Sequence, residues 1–287
     1  MMLSYLRFLF LPISILLVPV SGKMEAVKGC EQDKSYLQKL DSVAQNAESV
    51  YFCMEIHARM LDGNYRQKAV FKIDRHPLKI YYRQFMRSNI ELLYDETLDK
   101  EKAIVYPDGF PYTSIKLSPY SPRILKRQHH SIFESDPTFT ISQVMKMITD
   151  TRNEAFRFVV NDTIFDGQNG LSMKYYQTDY HIKTIQVHDN ISLLNFAARH
   201  NVNFYSIIWN NPSLSVSSKL NPSDRIKVPS AYAKSVEIIV DNNNYNLLQV
   251  VVKDCGGVFE KYTYSKFTWN AHFTSSDFDS ENPDYNF

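Results

Sequence analysis

Hydrophobic and polar positions along the chain change period several times, and each change predicts an element. Tyr36, Leu37, Leu40, Val43, Ala44 and Ala47 recur at three- and four-residue steps, predicting an amphipathic helix within residues 25–49. From Val50 the period becomes two. Val50, Phe52, Met54, Ile56, Ala58 and Met60 alternate with Tyr51, Cys53, Glu55, His57 and Arg59, predicting a long strand. Asp62-Gly63-Asn64 turns it toward a partner over 67–74, which Arg75-His76-Pro77 breaks. Further strands are expected over 78–84, 90–94, 102–106 and 112–117, with Asp108-Gly109 turning between the last two.

Residues 119–136 read as a loop from their prolines and polar clusters, and 140–150 as a helix with Val144, Met147 and Ile148 inward. Strands resume at 154–162 and 171–180 around a turn over 165–170, and again at 236–240, 247–253 and 258–267. The fold class predicted is α+β: a curved antiparallel half-barrel sheet with an N-terminal and a mid-chain helix.

The stretch 181–230 follows a different pattern. Ile185 and Val187 alternate as a strand. Leu193, Phe196, Ala197 and His200 then step as a helix, and Ile207 and Ile208 mark a second helix ending at Asn210-Asn211-Pro212. Arg225-Ile226-Lys227-Val228, closed by Pro229, reads as a short edge strand. This βααβ order, with Val187, Asn190, Ser192, Leu193, Phe196, Ala197, Val202, Asn211-Pro212-Ser213-Leu214, Leu220, Pro222, Ile226, Val228 and Pro229 at their spacings, resembles the LysM module. The resemblance implies binding of an N-acetylglucosamine-containing glycan, peptidoglycan or a chitin-like polymer, in a shallow groove between two loops. Carried over, the glycan-binding residues are Asn190, Ile191 and Ser192 in the first loop and Asn211, Pro212, Ser213 and Leu214 in the second. The chain departs from the pattern at Asn190 and Ser223, where the family usually has glycine, and at Ile191, where it usually has an acid.

The strands on either side of this stretch alternate alike, so the module is expected as an insertion in one domain formed by 23–180 and 231–287. An N-terminal helix, hairpins, a mid-chain helix, returning strands and the run Val70-Phe71-Lys72-Ile73-Asp74-Arg75-His76-Pro77 resemble the LolA/LolB-type periplasmic lipoprotein carriers. That resemblance implies an apolar or lipidated ligand held by the sheet.

Residues 1–22 place Arg7 before an almost wholly apolar run, Phe8 to Val20, and then Ser21-Gly22. This reads as a secretion signal, with export to the periplasm or cell envelope and no transmembrane segment in the mature chain. Lys plus Arg is 32 against 31 acids, net +1, which gives no nucleic-acid footprint. Cys30, Cys53 and Cys255 have no zinc-type spacing and are expected as packed thiols, although an exported chain could pair two of them. Neither a metal nor a cofactor is expected. His129-His130 is expected in a solvated loop, because neighbours on an extended chain point apart. The acids Asp277, Asp279, Glu281 and Asp284 are expected in a solvated tail.

No catalytic signature is present. The reading is therefore a non-enzymatic envelope protein. The alternative is a cell-wall hydrolase, for which Glu91, Asp95, Glu96 and Asp99 are candidates only by being acids.

Overall fold

The computed structural model describes residues 31–86, 89–107, 109–150 and 155–287. Helix α1 (Glu31–Asn46) precedes six strands: β1 (Ser49–Met60), β2 (Gly63–Arg75), β3 (Leu78–Phe85), β4 (Ile90–Asp95), β5 (Ala103–Tyr106) and β6 (Ile115–Leu117). Residues 118–136 form a strap carrying helix α2 (Pro122–Leu125) and a 3-10 turn (Ile132–Glu134), and the strap runs into α3 (Pro137–Thr149). Then come β7 (Phe156–Phe165), β8 (Gln168–Gln177), β9 (Ile182–Gln186), β10 (Ile191–Ser192), α4 (Leu193–Arg199), α5 (Phe204–Asn210), β11 (Lys219–Leu220) and β12 (Arg225–Pro229). Strands β13 (Ser235–Asp241), β14 (Leu247–Asp254) and β15 (Gly257–Trp269) return, followed by a 3-10 turn at Ser275–Phe278.

Among the described residues the main sheet is open, curved and antiparallel, with 11 strands in the order β6-β5-β4-β3-β2-β1-β15-β14-β13-β8-β7. Period-two alternation sorts its two faces. On β1 the buried set is Val50, Phe52, Met54, Ile56, Ala58 and Met60, the phase read from the sequence. Phe52 stacks between Phe71 and Phe267, with ring centroids 4.9 and 5.7 Å away. Leu37, Leu40 and Ala44 of α1 and Ile141, Val144 and Met147 of α3 complete this core.

The strap and the hairpin ends depart from expectation. The predicted loop at 119–136 contains a helical turn and a 3-10 turn, each begun by a serine, Ser121 and Ser131. The predicted six-residue turn at 165–170 is only two residues long. Asp166 and Gly167 both have positive φ, 49° and 79°, the geometry of a two-residue Asp-Gly hairpin whose twist matches its strands. The strand expected over 112–117 begins only at Ile115, because Pro111 has no amide hydrogen to donate and Tyr112 sits at φ 57°.

The C-terminal segment is no solvated tail. Tyr285 stacks on Tyr81 at 4.0 Å, Lys72 Nζ meets Asp277 at 2.6 Å, and Tyr81, Leu93 and Phe278 are buried together against the outer face of the sheet. Its apolar residues, Phe273, Phe278, Tyr285 and Phe287, explain this, since the acids lie between them. Cys53 and Cys255 are free thiols. Cys30 and the signal reading over 1–22 lie outside the described residues.

The stretch 181–230 enters and leaves the sheet at one point. β8 pairs with β13 from Tyr176↔Ser235 to Gly170↔Asp241, and Ser230 N donates to His181 O at 2.8 Å. Inside it, β9 pairs antiparallel with β12 through Ile185↔Ile226, while Leu193, Phe196, Ile207 and Val228 are buried.

One side chain joins helices to sheet. Arg75, at the end of β2, forks onto Asp136 at 2.7 and 2.8 Å and donates from Nη1 to Ala44 O and Ala47 O at 2.5 and 2.7 Å. Asp136 in turn caps α3 by accepting from Thr138 N at 2.9 Å. Arg75→Ala leaves a mostly buried carboxylate and the last carbonyls of α1 unpaired. The expected loss is about 3 kcal/mol of unfolding free energy, read from the urea midpoint.

Candidate functional site

The inward residues of β1 to β5 and β15 are not fully covered by the helices. Met54, Ile56, Ala58, Leu92, Val105 and Tyr264 line a cavity of about 420 Å³ roofed by the strap, into which Ile124 and Ile132 project. Strand alternation creates this surface, because successive inward side chains are two residues apart and mostly apolar.

A few polar groups sit among them and are largely matched to one another. Tyr82 Oη donates to Gln84 Oε1 at 2.6 Å, and Gln128 Nε2 reaches Gln84 Oε1 at 3.2 Å and Gln67 Oε1 at 3.4 Å. Burial pushes the Tyr82 and Tyr264 phenols above their ordinary range, so both stay neutral. At the rim stand Arg123 and Arg127, both exposed, and Phe110, which is 89% exposed. The arrangement suits an apolar body with a polar or anionic end.

The strap is held down by a buried charge cluster. Glu260, 1% exposed on β15, receives His129 Nδ1 and His130 Nε2, each at 3.0 Å, while His130 Nδ1 faces Glu134 at 3.2 Å. His129 Nε2 faces Arg59 O at 3.2 Å, and Tyr262 Oη donates to Glu260 at 2.5 Å. Burial opposes charge on the His130 ring. The Glu260 and Glu134 carboxylates outweigh it and push His130 up to about 10. Burial likewise opposes the Glu260 charge, and the histidines outweigh it, holding that carboxyl well below the usual range.

The expectation of a solvated histidine loop is therefore corrected. His129 is 3% exposed, and both rings converge on one acid, Glu260. The His130-to-Glu134 spacing of four was the available signal. Glu260 was the missed residue, although it shares the inward phase of Tyr262 and Tyr264.

The inserted stretch is docked on the same cluster. Asn203 Nδ2 donates to His129 O at 3.0 Å while its Oδ1 caps α5 through Tyr205 N at 2.7 Å. Arg59 lies 4.7 Å over the Trp209 ring and pairs with Asp254.

The residues expected to bind glycan separate into exposed and committed groups. Asn190, Pro212 and Ser213 are exposed, and Ile191 and Leu214 are half-buried against the core. Ser192 Oγ accepts from Asn195 N at 3.2 Å as the cap of α4. The Asn211 side chain is taken up internally, donating to Ile207 O and Lys227 O at 2.7 and 2.8 Å and accepting from Lys227 N at 3.0 Å. It fixes the second loop and is not turned outward. The first loop is tied to residues 218–220, beyond the second loop: Ile191 pairs with Leu220, and Leu193 N donates to Ser218 O at 3.0 Å. Of the two positions where glycine was expected, Ser223 adopts the left-handed conformation, φ 78°, and Asn190 is not among the positive-φ residues.

The acids considered for hydrolysis are held elsewhere. Glu91 pairs with Arg83 at 3.2 Å and accepts from Asn286 N at 3.0 Å. Asp95 holds Lys79 and Thr97, Glu96 accepts from Leu78 N, and Asp99 caps a turn through Glu101 N. None of the four lines the cavity.

The model of a family described as a protein of unknown function, DUF1571, matches residues 51–287. No curated protein matches the chain. Among solved structures the chain is similar to MucB at 9% identity and a TM-score of 0.45, covering 88% of this chain and 64% of that one. It thus spans less than two thirds of the MucB chain. It is also similar to the Mycobacterium tuberculosis lipoprotein LppX, at 10% identity and TM-score 0.41 over 85% and 99% of the two chains. A third, LprF from Mycobacterium bovis, gives 12%, 0.41, 85% and 96% in the same order.

The raised His130 ionisation fixes the sign of a pH effect. Its contribution to stability is fully present below about 6.5 and is lost as pH rises through about 10. The gap in urea midpoint between the native chain and His130→Gln should therefore be widest below about pH 6.5, narrow steadily from there and close near about pH 10.

Proposed function

Starting from a chain that belongs to DUF1571, a family of unknown function, we propose an exported cell-envelope binding protein with two attachments. The domain we assign to 23–180 and 231–287 works, through its curved sheet, as a LolA/LolB-like carrier that holds the apolar chain of a lipid or lipidated protein. The inserted 181–230 stretch works as a LysM module that holds the protein to peptidoglycan. Residues 1–22 direct export.

The observation that carries the proposal is the concave cavity. It is about 420 Å³, apolar over most of its wall, and closed by a strap whose basic residues face its rim. Pockets for small ligands run to roughly 300–1,000 Å³ and combine such walls with a few placed polar groups. Among the described residues no helix is long and apolar enough to cross a membrane.

Support for the glycan half comes from the residue pattern and from the exposed tips at Asn190, Pro212 and Ser213. Ile191 replaces an acid at the mouth of the groove. One charge-assisted hydrogen bond is lost with it, about 1–2 kcal/mol or roughly tenfold in dissociation constant, so this attachment is weak. Binding is favoured over hydrolysis because the candidate acids are engaged in caps and ion pairs away from the cavity.

Two measurements test the halves separately. Titrated with the apolar dye 1-N-phenylnaphthylamine, the mature chain should bind, and Ala58→Phe, which grows into the cavity, should weaken binding at least about tenfold. Equal dye affinity in both proteins excludes the cavity. In sedimentation with insoluble peptidoglycan the chain should pellet at high loading, and less so as Leu214→Asp. A chain that stays in the supernatant at every loading excludes the glycan half and leaves the cavity half standing.

A further inference from the structure

The cavity under the strap has room for little. A methylene takes up about as much space as a water molecule, roughly 30 Å³, so a volume of about 420 Å³ holds a run of about fourteen carbons. Two such runs need about 800 Å³, and three need about 1,300 Å³. The roof is not free to rise and make room for them. His129 and His130 tie the second half of the strap to Glu260, each at 3.0 Å, and Arg75 forks onto Asp136. Nearer the mouth, Gln67 Nε2 donates to Arg127 O at 3.4 Å, and Gln128 Nε2 reaches Gln67 and Gln84. Lifting the strap would strip partners from a buried carboxylate.

The ionic groups inside are matched, and those at the mouth are not. Among the described residues Glu134 is the one acid on the wall, and His130 holds it. Arg123 and Arg127 stand at the mouth. The backbone of α2 stays helical through Lys126, so residues four apart come to one side, and both arginines line the opening while Lys126 between them does not. Arg123 is exposed and has no ion-pair partner among the described residues. Arg127 has Asp62 at 3.9 Å, with both side chains more than half exposed, a contact worth little, and its guanidinium lies 4.9 Å over the Tyr65 ring. A guanidinium is a planar fork that fits the paired oxygens of a carboxylate or phosphate. Two of them at the open end of an apolar space match an anion at the end of an apolar chain.

Resting on the carrier reading of the sheet, we propose that the cavity takes a single-chain anionic amphiphile, its one acyl chain under the strap and its carboxylate or phosphate held by Arg123 and Arg127. A fatty acid or a lysophospholipid supplies that chemistry. A lipid with two or three chains does not fit whole.

The test is displacement of 1-N-phenylnaphthylamine from the full mature chain, with every amphiphile kept below its micelle concentration. Across saturated fatty acids of about ten carbons upward, affinity should rise severalfold with each added pair of methylenes and level off near about fourteen, because further carbons stay outside. At least one of tetradecanoate and 1-myristoyl-lysophosphatidylglycerol should displace the dye, and the tighter of the two assigns the anion as carboxylate or phosphate. Tetradecanol, with the same chain and no charge, should bind at least about tenfold more weakly than tetradecanoate. Arg123→Gln combined with Arg127→Gln should remove that difference and leave dye affinity and thermal midpoint as they are, since both side chains are exposed. The proposal is overturned, with the carrier reading intact, if the dye binds and neither anion displaces it. It is overturned likewise if tetradecanol matches tetradecanoate, if the double variant keeps the difference, or if dimyristoylphosphatidylglycerol binds more tightly than its one-chain form. A chain that binds neither the dye nor either anion overturns both.

Discussion

The carboxylate of Glu260 is the point on which the architecture depends. It sits on a central strand of the sheet, 1% exposed, and is reached by two consecutive histidines of the strap, by Tyr262 of its own strand and by Asn203 of the inserted stretch at 3.5 Å. Desolvating an acid in this way is tolerable only when every lone pair is answered, and breaking one partner leaves a charge buried without compensation. Sheet, strap and insertion therefore cannot separate one at a time without exposing that cost. Arg75 does the equivalent where the strap runs into α3, since Asp136 answers it and caps that helix at once. The strap is thus pinned by ions along its second half, at 129–130 and at 136, while Ile124 of its first half lines the cavity.

A sheet of 11 strands has a concave face wider than two helices can fill. α1 and α3 cover one part, while the inward residues of β1 to β5 are left to the strap, which bridges them without filling the space beneath. The convex face is treated differently. The C-terminal segment lays Phe278, Tyr285 and Phe287 against Tyr81 and Leu93, and Asn286 N reaches Glu91, so that side is closed by packing. The two faces carry similar residues and differ in how they are covered.

Much of this was legible in local pattern. The buried phase of β1, the helical stripe of α3 and the strand–helix–helix–strand order over 181–230 follow from periodicity, because the property read is the same one that burial selects. Asp166-Gly167 was legible as well, but its two-residue hairpin was obscured by the polar residues beside it. The histidine cluster was not legible. His130 and Glu260 are 130 positions apart, and nothing local distinguishes a histidine aimed at a distant acid from one in water. Asn211 shows the same limit on a smaller scale, since its residue type fits an outward polar contact, while its three internal hydrogen bonds depend on where β12 returns.

His130 and Glu134 line the cavity under the strap and also a second one, of about 620 Å³, between the strap, α3 and the start of α4, so an ion pair stands between the two. An apolar wall could be pushed aside at the cost of repacking. Here the imidazolium is held between Glu134 and the fully buried Glu260, and swinging it out of the way would take one of its partners from that buried carboxylate. The cavities are thus neighbours that stay separate.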